Sequence, residues 1–336
     1  MRSKKSLLSG LALGAFAIMI STAPVYAAVT TFAKWPSRIQ TMNVSLNSKH
    51  AAAWSEGAAK WRNASHFSLT TVVGSATKYY AYDVNDSGVD WDGIADYTVT
   101  NGIISNAQLR MNTYYTSTSK YTSAIKAAVT GHEIGHSLGL NHTSIVETTS
   151  IMHPYTFNSD GTRARALSPS PSDLAVVNSL YPLMNGLVQE GTNLKQKANG
   201  VYLHPSWAVH YKNEQQLAKA ADLVVQGRVV AEAGSKYEEG EYHTYVTQVK
   251  VKVKQVMKGD PTKAGQQLRI AQMGGSDGRL NVFAEHTTYL QDDEEVVLFL
   301  RQSSDGTYKP LNEDDGVFIM RNGKFNNISS QKQLHF

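Results

Sequence analysis

Apolar residues along this chain change their spacing several times, and each change marks an element. Met42-Asn43-Val44-Ser45-Leu46 alternates apolar with polar and predicts a strand. From residue 50 to 62, Trp54, Ala58 and Trp61 recur at three- and four-residue intervals, the stripe of a helix that packs one face behind a sheet. Short runs rich in β-formers follow, Tyr79 to Tyr82, Tyr97 to Thr100 and Gly102 to Met111, separated by clusters of Asp, Asn and Gly. A long helix is predicted from about Ser123 to Leu138. Another runs from Ser172-Asp173-Leu174 to Leu180-Tyr181 and has a marked start: Ser170 can cap, Pro171 suits the first helical position, and Asp173 is the acidic third residue of a box-like cap.

Beyond Leu183 the pattern changes. Residues 186–200 are polar and glycine-containing and read as a linker, and residues 201–336 read as a β-rich accessory domain. Its clearest strand is Val249-Lys250-Val251-Lys252-Val253-Lys254, a strict alternation that buries one face and solvates the other. Leu223 to Val230, Leu268 to Ala271, Val296 to Leu300 and Gly316 to Met320 predict further strands. Asp305-Gly306 and Asn322-Gly323 mark tight hairpins, and residues 213–221 a short helix. A mainly antiparallel sandwich or barrel follows from this spacing. The lysine row offers a surface for an anionic cell wall or substrate, although a solvated strand face has the same appearance.

At the amino terminus, Arg2, Lys4 and Lys5 precede an apolar run from Leu7 to Ile20, and Val25-Tyr26-Ala27 supplies small residues for cleavage. Residues 1–27 are therefore expected to be a signal peptide cut near Ala27, leaving a secreted, extracellular chain with no stable membrane anchor. A spanning helix needs about 20 apolar residues; this run is shorter and is interrupted by Ser9, Gly10 and Gly14. Removing it lowers the net charge from +4 to +1. With no basic tract, nucleic acid is not an expected partner. The chain has no cysteine, so an exported fold must rest on core burial, and 41% hydrophobic residues over 336 positions supply it.

Chemistry concentrates in His132-Glu133-Ile134-Gly135-His136-Ser137-Leu138-Gly139-Leu140-Asn141-His142. His132 and His136 share a helix face about 6 Å apart along the axis and can point at one ion. Glu133 lies beside that ion, where a carboxylate can take a proton from water. A third ligand six residues on cannot continue the straight helix, so the chain must turn back. Gly139 sits where the turn is needed and can enter the left-handed conformation. His142 then completes a three-imidazole set that leaves the fourth position of tetrahedral zinc open, as in a catalytic site. Ser150-Ile151-Met152-His153-Pro154-Tyr155 follows by a short loop and places Met152 as an apolar base beneath the ligands.

These motifs resemble the matrixin branch of the metzincin zinc proteases, which carry a very similar helix and a Ser-Ile-Met-x-Pro turn. The resemblance extends over roughly residues 33–183, from Lys34-Trp35-Pro36 to the closing helix, and supports a domain at 28–185. It implies an α+β (α/β-like) catalytic domain with a twisted mixed sheet, an active-site helix, and one antiparallel edge strand lining the cleft above the zinc. Such an edge binds an extended peptide by adding it as a further strand. It also implies that Asp173 anchors the mature amino terminus, a role that competes with plain capping. Pro154 and Tyr155 become candidates for the pocket that receives the residue after the scissile bond, although Tyr155 stands one residue earlier than the family's tyrosine and Thr156 takes its place. Without cysteine there is no thiolate to hold the enzyme latent. With no histidine between residues 67 and 131, a single zinc is expected. No family accessory domain matches the second half, whose His204, His210, His243, His286 and His335 show no ligand spacing.

Asp83, Asn85, Asp86, Asp90 and Asp92 cluster in a Gly-containing stretch and are candidates for calcium. The twelfth position from Asp83 is Ile94 rather than the glutamate an EF-hand needs, and an Asx-rich turn has the same composition. The sequence is thus read as a secreted, bacterial zinc endopeptidase acting on extracellular proteins or peptides, with Glu133 as general base and acid. The alternative is a secreted metal-containing binding or adhesion protein without turnover.

Overall fold

The computed structural model describes residues 33–183, 198–238 and 244–335; the expected signal peptide and most of the expected linker lie outside them. In the first half come β1 (Ile39–Ser45), α1 (Ala51–Arg62), β2 (Ser68–Gly74), β3 (Tyr79–Val84), β4 (Trp91–Thr100), β5 (Ile103–Asn112), the single turn α2 (Thr113–Thr116), α3 (Ser123–Ser137), β6 (Tyr155–Asn158) and α4 (Pro171–Leu180). In the second come β7 (Gly200–His210), α5 (Glu214–Ala220), β8 (Leu223–Glu238), β9 (Thr244–Lys258), β10 (Gln267–Met273), β11 (Gly275–Ser276), β12 (Asn281–Ala284), β13 (Glu295–Gln302), β14 (Tyr308–Pro310), β15 (Val317–Arg321) and β16 (Lys324–Asn327).

Two sheets organise these elements. The first runs β11-β12-β7-β4-β5-β3-β1-β2, with β6 joined to β7. Strands β2, β1, β3 and β5 are mutually parallel, while β4 is antiparallel to β5, reached through Asn101-Gly102 with both residues at positive φ, as a tight hairpin requires. Helices α1 and α3 cover one face. Trp54, Ala58 and Trp61 are fully buried there, and the Trp61 indole donates to the Gly131 carbonyl at 2.7 Å. Gly57 permits the close crossing, since a Cβ at that position would overlap Thr130 and the backbone of Gly131.

The second sheet closes on itself. Strands β14, β10, β9, β8 and β13 pair in succession and β14 returns to β13, a small barrel with β15 and β16 continuing outward from β13. Val249, Val251 and Val253 point into it beside Leu268, Ile270, Leu298 and Leu300. Lys250, Lys252 and Lys254 are exposed on its outer surface. Because β9 lies between β8 and β10, those lysines decorate an inner strand and protect no edge.

The two halves are not separate in space. The edge expected at β4 is covered by β7, which pairs with it antiparallel from Trp91↔Trp207 to Val99↔Gly200. Strand β12 then extends the same sheet beyond β7. Trp91, Ile94, Tyr155, Leu203, Trp207, Met273 and Val282 form one apolar cluster drawn from both halves.

Glu313 lies buried near this junction with its Oε2 accepting from the Met273 amide at 3.3 Å. Burial pushes its carboxyl up to about 8, opposed by the Met273 hydrogen bond and reinforced by Asp314. The folded chain therefore holds this acid neutral where the unfolded chain ionises it, so its contribution is full below about 4.5, declines as pH rises, and is gone above about 8. Glu313→Gln keeps an oxygen acceptor and cannot ionise. Its Tm should exceed that of the wild type by several degrees at pH 9 and match it near pH 5; parallel pH profiles for the two chains would assign the loss elsewhere.

Candidate metal centre and active site

Helix α3 begins at Thr122, whose hydroxyl accepts from the Ile125 amide, and carries His132 and His136 on one buried face. It ends at Leu138. Gly139 then adopts φ +100°, and the chain folds back with the Leu140 amide on the Gly135 carbonyl at 3.2 Å. A Cβ at Gly139 would overlap the Ala33 carbonyl, so glycine is required here by space as well as by φ. This reversal delivers His142. The three Nε2 atoms lie 2.9 Å (His132 to His136) and 3.2 Å (His142 to each of the others) apart.

The opposite nitrogens fix the tautomers. His132 Nδ1 donates to the Ile151 carbonyl at 2.7 Å and His136 Nδ1 to the Leu140 carbonyl at 2.8 Å, leaving their Nε2 lone pairs facing one point. Burial lowers all three imidazole pKa values, which keeps the rings neutral. Three converging lone pairs repel unless a cation sits among them. Tetrahedral zinc at 2.0–2.1 Å from each nitrogen would space them about 3.3 Å apart, so the residues fit that ion.

Around this centre the packing is close. Met152 is fully buried beneath α3, and a Cβ on Gly135 would overlap its sulfur. Asp173 caps α4 and, with the same carboxylate, accepts from Ser150 Oγ at 2.8 Å and the Ile151 amide at 3.3 Å, so it braces the methionine turn. Glu133 is fully buried under β4, where only glycine at position 93 leaves room for its carboxylate. Burial raises its pKa strongly, while the buried Arg165 lowers it and Asp92 raises it.

The matrixin family model matches residues 47–182. This stretch is a matrixin-like metzincin domain. It makes the chain a zinc metalloendopeptidase, a class that acts on proteins or peptides. Two structures of myroilysin are each 16% identical to it: one covers 46% of this chain and 98% of its own at TM-score 0.31, the other 45% and 86% at 0.33. A hatching-enzyme zinc protease from the medaka fish Oryzias latipes, high choriolytic enzyme 1, is 14% identical, covering 44% and 92% at 0.28. No curated protein matches the chain.

Other candidates in the matrixin-like domain separate by their contacts. The Tyr155 hydroxyl donates to Asp315 at 2.9 Å and its ring stacks on His210, so it is held by the second half, and the Pro154 carbonyl accepts from the Trp207 amide at 2.9 Å. The four acidic residues among the calcium candidates each have their own partners. Asp83 accepts from Ser48 and the Lys49 amide, Asp86 from the Gly88 amide, Asp90 pairs with Arg301 at 2.6 Å, and Asp92 accepts from Tyr121 and Ser206. Asn85 lies between β3 and β4. Among the described residues, Asp83, Asp86, Asp90 and Asp92 belong to no group of three or more His, Cys, Asp or Glu side chains placed to share an ion.

Several residues here have no signature in the sequence. Arg165 reaches the His153 carbonyl and Ser206 from a loop before α4. His204, Glu285 and His286, three residues of the second half without ligand spacing, stand beside the triad: His204 stacks on His136 at 4.6 Å, and Glu285 Oε2 lies 2.7 Å from His204 Nδ1 and 3.0 Å from His142 Nδ1. His286 Nε2 is 3.2 Å from His142 Nδ1.

Proposed function

We propose that this chain is a secreted endopeptidase in which His132, His136 and His142 hold one zinc and Glu133 is the general base and acid. The observation that carries this reading is the convergence of three neutral, buried Nε2 atoms beside one buried carboxylate. Zinc bound there supplies Lewis acidity, lowering the pKa of water and polarising a peptide carbonyl. Glu133 takes the water proton and delivers it to the leaving amine. Burial raises its carboxyl well above the usual range, which favours its holding the proton, and the charge of Arg165 opposes that rise. Gly139 and Met152 hold the imidazoles in place, and Pro154 and Tyr155 form one wall of the cleft. Export through a signal peptide at residues 1–27 completes the proposal; among the described residues no helix is long and apolar enough to cross a membrane.

The test is metal content and hydrolysis together. Purified protein should contain one zinc, lose cleavage of an unfolded protein substrate when the zinc is chelated, and regain it when zinc is returned. One zinc with no hydrolysis, even in a chain whose cleft has been opened, would favour the binding-protein alternative.

A further inference from the structure

The strand that covers β4 stands where an extended substrate would have to bind. Its antiparallel pairing places Tyr202 opposite Tyr97, His204 opposite Ala95, Pro205 opposite Ile94 and Ser206 opposite Gly93, directly over Glu133. On its other side β7 runs parallel to β6, with Trp207 opposite Tyr155 and Val209 opposite Phe157. It thus fills the groove between the expected cleft strand and the expected pocket wall and takes the backbone hydrogen bonds of both. One set of N–H and C=O groups cannot serve a second chain at the same time. Residues 202–208 are all buried. Ser206 Oγ donates to Asp92 at 2.9 Å and accepts from Arg165 at 2.7 Å, and the His204–Glu285 pair lies over His136 and His142.

We infer that Gly200–His210 is an intramolecular pseudosubstrate: the chain as folded here is latent, and peptide enters only when β7 leaves β4. This rests on the endopeptidase reading for its consequence and on the sheet pairing for its geometry. A cysteine-free chain has no thiolate to block zinc, and the second half supplies a strand instead.

Two substitutions should open the cleft while Glu133 and the triad keep their identity, and of the two Trp207→Ala leaves the group beside the Glu133 carboxyl, Ser206, unaltered. Ser206→Glu places a carboxylate against buried Asp92 whenever β7 is docked, and Trp207→Ala removes the anchor packed with Trp91 and Tyr155. A short peptide bearing a hydroxamate, which binds zinc in an open cleft, is titrated calorimetrically into each full chain at one zinc equivalent. If β7 is undocked in only a few per cent of molecules, apparent affinity and hydrolysis rate should both rise about tenfold or more in each variant. Wild-type affinity and rate equal to those of the variants would overturn the inference and leave the protease reading intact. Tighter binding without hydrolysis in any chain would uphold β7 as a cleft plug and refute the endopeptidase. Hydrogen exchange on the wild type guards against variants that fail to fold: saturating hydroxamate should deprotect the amides of residues 202–209, and unchanged protection would also overturn the inference.

Discussion

Glu133→Ala, made in the Trp207→Ala chain so that peptide has access, is expected to lower hydrolysis by on the order of a thousandfold while one zinc stays bound. The two readouts separate because Glu133 stands outside the imidazole set. The three Nε2 atoms are positioned by the Ile151 and Leu140 carbonyls and by the Gly139 turn, none of which involves the Glu133 carboxylate. Removing the carboxylate removes the proposed proton acceptor but none of the three converging nitrogens. Glu133→Gln is the companion, since it fills the space under Gly93 without basicity. Equal losses in the two variants, at equal zinc, would place the effect on proton transfer. Activity retained in both would move the base to another group, and loss of zinc in both would make Glu133 part of the scaffold.

Much of this site was legible because its determinants are local. The separation of His132 and His136 is a property of one helix, and the reversal at Gly139 follows from the ligand that comes after it. The apolar stripe of Trp54, Ala58 and Trp61 likewise announced α1, and the Val249 to Lys254 alternation announced β9. What stayed hidden depends on distant partners. Gly93 sits in a stretch whose acidic residues suggested calcium, yet it belongs to β4, and its lack of a side chain serves Glu133, forty residues away. Strand β7 was missed for two physical reasons. Pro205 argues against a strand interior, and burial on both faces abolishes the alternation that identifies strands. Partners far apart in the chain, such as Arg165 with Ser206 or Glu285 with His142 and His204, carry no spacing rule at all. Asp173 shows a local rule giving half the answer: the sequence gives its cap, and the fold adds its hold on Ser150 and Ile151.

Gly139→Ala is expected to lower Tm by roughly 5–10 °C and to weaken zinc binding by about a hundredfold. Two costs combine at this position. An L-residue at φ +100° is strained by about 1–2 kcal/mol. The added Cβ also overlaps the Ala33 carbonyl, and that backbone has little freedom to retreat. Ala33 is fully buried, the Lys34 amide donates to Gly102, Ile104 donates back to the Lys34 carbonyl, and the Trp35 indole donates to Ser137 at the end of α3. The easier movement is an opening of the turn, which swings His142 away from His132 and His136. Gly161→Ala provides the comparison. Gly161 also has positive φ, at +85°, but the space around its Cβ is open apart from the end of the Lys120 side chain. It should show the conformational cost alone, with zinc affinity unchanged. If Gly139→Ala behaved like Gly161→Ala in both thermal unfolding and competition with a zinc-binding dye, the third ligand would have to be positioned by Glu285 and His286 from the second half instead of by the turn.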